Sequence, residues 1–453
     1  MRHLAGRRIA VVGLGKAGLP AALRLIEWGA EVIAWDDAPA ARSAAEAAGL
    51  KLAPPEELGR FDALLLSPGI PHRLPQPHPA AEAARAQGAP ILCDVEFLHG
   101  AAEAAGGGVV FAGITGTNGK STTTALLGHL LQAAGRTVAV GGNLGPAALA
   151  LPLLPAGGVY VLEMSSYMLE RIEAVRFKLA AMLNLSPDHL DRHGDMAGYA
   201  AAKARIFHRQ QPEDLAVLGD DDAWTRAMRP PGRIRRISGE HATPGGVWFD
   251  PPFLRDDAGC LLDLREARAL PGAHNAQNAA AAAAMALELG LPRDLLAAAI
   301  ARFPGLPHRH EEVAEIRGVR FINDSKATNA DSAARALAAH RRVVWIAGGI
   351  GKEGGIEPLA PFFPRIAHAV LIGRDGPAFA ATLARHGVPH SLVATLEEAV
   401  PAAADRAFAG AADVVLLSPA AASWDQFSGF DQRGDRFRAL VLALAGQEDA
   451  RWK

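Results

Sequence analysis

The chain has 453 residues, enough for about three domains at roughly 150 residues each. Half of the residues are hydrophobic, 21% are charged, and 46 basic residues nearly balance 48 acidic ones. That balance offers no general grip on nucleic acid or anionic lipid. Two cysteines, Cys93 and Cys260, exclude a disulfide scaffold and a four-cysteine zinc site, and each is expected to be a small buried apolar residue.

The basic and then apolar N-terminus reads as a strand entering a glycine turn, not as a signal peptide. The uncharged stretch 137–162 is interrupted by Pro146, Pro152 and Pro155, so it is not a spanning helix. A cytoplasmic enzyme with neither membrane nor nucleic-acid partner is the expectation.

In chain order the elements fall into three α/β blocks. The first opens with the buried strand Arg8–Val12, the turn Gly13-Leu14-Gly15-Lys16-Ala17-Gly18, and a helix through Leu23, Leu25 and Ile26 that stops at Gly29. Strand Glu31–Trp35 ends at Asp36-Asp37. Strand Ala63–Leu66 runs into Ser67-Pro68-Gly69-Ile70, and a further strand is read at 90–92. Strands alternating with helices predict a mostly parallel sheet. A glycine turn between strand and helix, with acidic residues about twenty positions on, is the dinucleotide layout. The glycines themselves require only a close approach to the backbone. A dinucleotide, the diphosphate of a nucleotide-linked substrate and plain strand–helix packing therefore stay open. The small-residue run 101–108 reads as a linker.

The second block begins with an apolar strand and then Thr115-Gly116-Thr117-Asn118-Gly119-Lys120-Ser121. This is close to a P-loop, in which backbone N–H groups cradle phosphates at a helix N-terminus, a lysine reaches them and a hydroxyl meets Mg²⁺. The first glycine, Gly113, stands seven residues before Lys120 instead of six. Leu126, Leu127, Leu130 and Leu131 share a helix face that Gly135 ends. Strands are read at 137–140, 159–162 and 180–185, an irregular Pro/Gly-rich stretch at 229–259, and a helix core at 279–284.

Two polar residues, Glu163 and His189, each just past a strand, would hold Mg²⁺ beside a triphosphate if they converge on Ser121. Helical spacing puts Lys203 on one stripe with Tyr199, Ile206 and Phe207, a face expected to be buried. Desolvation favours a neutral amine, and a neutral amine can take up CO₂ as a carbamate able to ligate a second metal.

In the third block, strands at 319–322, 343–347, 369–372 and Val414–Leu417 lead into polar loops. These are Asn323-Asp324-Ser325-Lys326-Ala327-Thr328-Asn329, Gly348-Gly349-Ile350-Gly351-Lys352 and Ser418-Pro419-Ala420-Ala421-Ala422-Ser423-Trp424-Asp425-Gln426-Phe427. Ligands of open α/β sheets sit at the carboxyl ends of strands. Two lysines and several hydroxyls there suit a small acidic substrate.

Together these residues resemble the Mur ligase family over nearly the whole chain. The phosphate loop, Asp188-His189, the helix with Lys203 and His274-Asn275-Ala276-Gln277-Asn278 are family-wide features. The third-block loops look like the D-glutamate-adding branch. The resemblance implies three α/β domains: a Rossmann-like UDP-binding domain over 1–100, a central P-loop-type ATP-binding domain over 101–305 and a C-terminal Rossmann-like amino-acid-binding domain over 306–453. It further implies a cytoplasmic, monomeric ligase of peptidoglycan precursor synthesis. Such an enzyme uses ATP and two Mg²⁺ ions to join D-glutamate to UDP-N-acetylmuramoyl-L-alanine through an acyl phosphate.

By the same resemblance, Gly116, Thr117, Asn118, Gly119, Lys120, Ser121, Thr122, Asn278, Arg309 and Asp324 would hold ATP. Ser121, Glu163, His189 and carbamylated Lys203 would serve the metals. Lys120, His189, Lys203 and Asn143 would be catalytic. Gly15, Lys16, Ala17, Asp36, Ser67, Pro68, Gly69, Asn143 and Ser165 would bind the UDP substrate, and Lys326, Thr328, Lys352, Ser423 and Phe430 would bind D-glutamate.

Three positions depart from the family. Met168 replaces a glutamine, Ala38 follows Asp36-Asp37 where Asp-Thr-Arg is usual, and Ile350 stands where aspartate is common. Competing readings are a ligase for another amino acid, an NAD-dependent oxidoreductase resting on the first glycine loop, and a non-catalytic nucleotide sensor.

Overall fold

The computed structural model describes residues 2–352 and 354–451, and the chain divides into two compact units between Phe303 and Pro304. In the first unit, near-continuous apolar runs form strands buried on both faces, as parallel sheets demand. Strands Lys51–Leu52, Glu31–Trp35, Arg8–Val12, Ala63–Leu66 and Ile91–Leu92 lie side by side in that order, all parallel.

A nine-stranded sheet follows, with Val110–Thr115 between Val159–Glu163 and Leu179–Met182. Its far edge turns antiparallel through Val247–Asp250, Phe253–Asp256 and Gly259–Asp263. The stretch 229–259 contains regular structure: strands Arg233–Ser238, Val247–Asp250 and Phe253–Asp256 lie in it. Glycines and prolines that made it read as irregular, among them Gly245, Gly246, Pro251 and Pro252, fall in the turns between those strands. The expected linker 101–108 is half helix, because Asp94–Ala104 runs through it with Ala101 and Ala102 buried, and only Gly106, Gly107 and Gly108, all at positive φ, break the chain direction. Cys93 is buried as expected, but Cys260 is exposed, since it lies on the edge strand Gly259–Asp263.

Residues 279–284 are fully buried in helix Ala273–Glu288, where methyl side chains allow close packing on helix Lys120–Ala133 and on the sheet. The strand expected at 180–185 ends at Met182, and residues 183–185 leave the sheet to meet the glycine loop at 116–119.

The second unit holds a six-stranded sheet in the order Glu311–Ile316, Val319–Asn323, Val414–Leu417, Val343–Gly348, Ile366–Ile372, His390–Leu392. Only its first strand is antiparallel to its neighbour. Ile350–Gly351 pairs with Ala421–Ala422 and ties two of the carboxyl-end loops together. Among the described residues no helix is long and apolar enough to cross a membrane.

Candidate functional site

The glycine loop at 116–119 joins the buried strand Val110–Thr115 to helix Lys120–Ala133. Gly119 has φ 85°, and a Cβ there would lie 2.0 Å from Asn278 Oδ1, so no other residue fits. Lys120 folds back over the loop and donates to Gly116 O at 3.0 Å and Thr117 O at 2.8 Å. Thr117 N–H donates to Asn184 O and Asn118 N–H to Asn184 Oδ1, both at 2.9 Å. Thr117 Oγ1 accepts from Ser186 N–H at 3.0 Å and lies 3.2 Å from the Tyr199 hydroxyl. Ser121 and Thr122 stand in the first helical turn, where free N–H groups and the helix dipole favour an anion. Asn278 comes alongside, its Oδ1 accepting from Thr123 Oγ1 at 3.3 Å.

Of the four expected metal-site residues, Ser121 opens the helix after the loop and Lys203 meets the loop directly. Glu163 is buried at the end of its strand, and its Oε1 accepts from Asn143 Nδ2 at 2.8 Å. Its Oε2 is buried and has no hydrogen-bond partner among the described residues. Lys203 is 2% exposed, on the predicted stripe with Tyr199, Ile206 and Phe207, all buried. Its Nζ donates to Gly116 O at 2.8 Å and lies 4.9 Å from the Tyr199 ring centre. Burial first, and then the charge of Lys120, push the Lys203 amine down to about 7, with Asp188 and Glu163 acting against them. His189 has φ 53° and sets its ring 5.0 Å from that of Tyr167, with Nε2 3.4 Å from Asp188. Burial holds His189 below the usual imidazole range. The described residues contain no preformed group of three His, Cys, Asp or Glu side chains for a metal. Glu163 and His189 each lie within electrostatic reach of Lys203.

A cavity of about 160 Å³ connects this region with the first sheet. Of the residues expected to bind a UDP substrate, Ala17, Ser67, Pro68 and Asn143 line it, together with Asp94 and Met168. Gly15, Lys16, Asp36, Gly69 and Ser165 do not. Asp36 instead closes the first glycine turn, accepting from Leu14 N–H at 2.5 Å and Ala38 N–H at 2.8 Å. Ser165 caps the short helix Ser166–Leu169 by accepting from Met168 N–H. Gly69 O accepts from Arg192 at 3.0 Å.

Sequence reasoning missed Arg171, a buried guanidinium that donates to Leu66 O, Ser67 O and Ile70 O at 2.7, 2.9 and 2.5 Å. It holds the loop after Ala63–Leu66 against the central sheet. Its only signal was its place directly after Glu170, which alone looks like a surface charge pair.

In the second unit, Asp324 is buried and accepts from Ser418 Oγ at 2.7 Å and His310 N–H at 3.1 Å; burial pushes its carboxyl up to about 7. Lys326 Nζ lies 5.5 Å from the Phe430 ring centre, and Ser325 Oγ donates to Phe430 O. Thr328 is in the same loop, with its N–H donating to Lys326 O. Ser423 is buried, and Lys352 directly follows the pairing of Ile350–Gly351 with Ala421–Ala422. Arg309 bridges to Leu306 at the start of the unit. A second missed arginine, Arg433, is buried and donates to Ser325 O, Ser325 Oγ and Ala421 O, holding two of these loops together.

Comparison with known proteins bears on both units. Residues 114–239 match the Mur ligase middle domain and residues 308–421 match the Mur ligase glutamate ligase domain. The chain is 50% identical over 450 residues to a UDP-N-acetylmuramoylalanine–D-glutamate ligase of Paramagnetospirillum magneticum, with 97% of each chain covered. It is 47% identical over 461 residues to the enzyme of the same name from Caulobacter vibrioides, covering 98% of this chain and 97% of that one. The fold resembles the crystal structure of UDP-N-acetylmuramate-alanine ligase from Thermotoga maritima, at 19% identity and TM-score 0.58 over 96% of this chain and 99% of that one. It also resembles MurF from Acinetobacter baumannii, at 21% identity and TM-score 0.56 over 79% and 81%. At those identities the likeness speaks to the fold alone.

Proposed function

The chain belongs to the Mur ligase family, and from that premise we propose that it joins D-glutamate to UDP-N-acetylmuramoyl-L-alanine in an ATP-dependent step of peptidoglycan precursor synthesis. The observation that carries the reading is the meeting of two lysines on one carbonyl of the phosphate loop. Lys120 and the buried Lys203 both donate to Gly116 O, with Glu163 close enough to act on Lys203. A glycine loop that served only strand–helix packing has no use for that arrangement.

A free carboxylate is a poor acyl donor, because its oxide is a poor leaving group. Transfer of the ATP γ-phosphoryl group to the alanine carboxylate converts it to an acyl phosphate. The amine of D-glutamate attacks, and phosphate leaves. In the first step Lys120 and the N–H groups of residues 119–122 offset the charge on the phosphoryl oxygens. Asn143 lines the cavity, its amide donating to Glu163, and would contact the reacting groups from there. A neutral Lys203 adds CO₂ to become a carbamate, releasing a proton, and so turns a buried amine into an anionic ligand.

Mg²⁺ bound by Ser121, Glu163, His189 and that carbamate would supply Lewis-acid neutralisation of the phosphates. The unpartnered, buried Glu163 Oε2 fits such a cation. In the second unit, Asp324 and Arg309 would bind ATP, while Lys326, Thr328, Lys352, Ser423 and Phe430 would hold D-glutamate through its two carboxylates. We assign UDP binding to 1–100, ATP binding to 101–305 and amino-acid binding to 306–453, in a monomer working in the cytoplasm, where ATP and UDP-sugars are available.

The test is product formation from ATP and UDP-N-acetylmuramoyl-L-alanine with D-glutamate, L-glutamate, L-lysine or meso-diaminopimelate in turn. Strong preference for D-glutamate is expected, and equal turnover with L-lysine overturns the assignment.

A further inference from the structure

The phosphate loop is held by a line of side-chain amides that ends on a carboxylate. Asn118 N–H donates to Asn184 Oδ1 at 2.9 Å. Asn184 Nδ2 donates to Gln277 Oε1 at 3.0 Å, with Asn118 O a second acceptor at 3.3 Å. Gln277 Nε2 in turn donates to Asp221 Oδ2 at 2.7 Å. Asp221 also accepts from Gly239 N–H and from Ser238 Oγ, so its carboxylate is anchored on the next strand.

An amide has one accepting and one donating end, whereas an ionised carboxylate only accepts. Asp221 therefore dictates which end of Gln277 faces it. Gln277 then dictates the orientation of Asn184, and Asn184 presents an acceptor to Asn118 N–H. Reversing any one amide sets donor against donor or acceptor against acceptor. Gln277 is buried and adjoins Asn278 on the same helix, so one helix meets the loop directly at Gly119 and indirectly through Asn184.

We propose that Asp221, Gln277 and Asn184 form a polarity relay that positions the phosphate loop for ATP, with Gln277 as its central positioning residue. The inference rests on the reading that this loop binds ATP. The charged groups around the relay are few. His241 sits 3.6 Å from Asp221 and 3.1 Å from Asp220. Arg226 and Arg236 pair with Asp220, and the Asp222 carboxylate accepts from Leu185 N–H and Thr225.

Gln277→Glu places a second carboxylate against Asp221. When both are ionised they repel and the relay opens; at lower pH the pair shares a proton and the contact closes again. The expected result is a KM for ATP raised about tenfold near pH 8.5 and returning toward wild type near pH 6, with kcat and the other two KM values within about twofold. Gln277→Leu should raise the KM for ATP at every pH without recovery. Asn184→Asp sets a carboxylate against Gln277 Oε1 one link along, with no second carboxylate to share a proton, and should raise the KM for ATP at both pH values, which keeps the test open if the first variant does not fold. An unchanged KM for ATP, or a loss with identical pH dependence in the Glu and Leu variants, overturns the relay. ATP binding to Lys120→Ala separates the two levels. If that variant binds ATP and forms product like wild type, the loop is not the ATP site. If it loses ATP while the Gln277 and Asn184 variants do not, only the relay falls.

Discussion

Two glycine turns in the first unit look alike on paper and differ in what reaches them. Each follows a buried parallel strand and opens a helix. The turn at 13–18 is satisfied by its own block: Gly13 N–H donates to Trp35 O, Leu14 N–H to Asp36, and Ser67 Oγ donates to Gly13 O. Gly18 is required by packing, since a Cβ there would lie 1.7 Å from Gly13 O, while Gly15 faces open space. The turn at 116–119 is also held within its own block, by Asn184 and Ser186 and against Asn278, but it carries two lysines on one carbonyl. Glycine spacing reports that a backbone must bend or be approached closely. Which ligand approaches is decided by the charges brought in from elsewhere.

The sharpest way to separate the turns is to remove their charges. Lys120→Ala should lower product formation by about 10³-fold or more, because the lost cation offsets charge that grows in the transition state. Phosphate release in a coupled assay checks this, and activity within tenfold of wild type would remove Lys120 from the reaction.

Lys203→Ala should nearly eliminate turnover, and acetate or formate should partly restore it by occupying the vacated ligand position. Lys203→Arg should stay inactive, because guanidinium remains protonated and takes up no CO₂. Full activity of the Ala variant without added carboxylate would make Lys203 a packing lysine.

Smaller effects distinguish the two glycines of the first turn. Gly18→Ala should lower stability by about 2 kcal/mol, read as a fall in the denaturant midpoint. Gly15→Ala should leave the midpoint unchanged and raise the KM for the UDP substrate if a ligand approaches that backbone. The smallest effect is expected at Asp36. Asp36→Ala frees two backbone N–H groups of the turn and should raise the KM for the UDP substrate several-fold with kcat unchanged. A variant with unaltered KM would show that Asp36 only closes the turn.

Much of this was legible in the sequence because it is local. Strand Val414–Leu417 and the turn into helix Lys120–Ala133 are written in consecutive residues. The burial of Lys203 followed from its spacing to Tyr199, Ile206 and Phe207, a regularity of helical geometry within nine positions. The errors were local too, but of composition. Alanines before glycines at 101–108 looked like a linker until the helix Asp94–Ala104 ran into them, and the Pro/Gly-rich stretch 229–259 looked irregular although strands lie in it.

By itself, then, the sequence determined the α/β blocks, the phosphate loop, the buried lysine and the family, each through short-range pattern or motif. Only the tertiary structure decided that Asn184 reaches back 66 residues to Asn118 and meets Gln277 93 residues on, that Arg171 clasps carbonyls about a hundred residues earlier, and that Glu163 keeps one oxygen buried and unmatched among the described residues. The reason is physical. Hydrogen-bond partners far apart in the chain leave no periodicity or spacing in it, and a polar residue acquires its partner, or its lack of one, only when burial has taken water away.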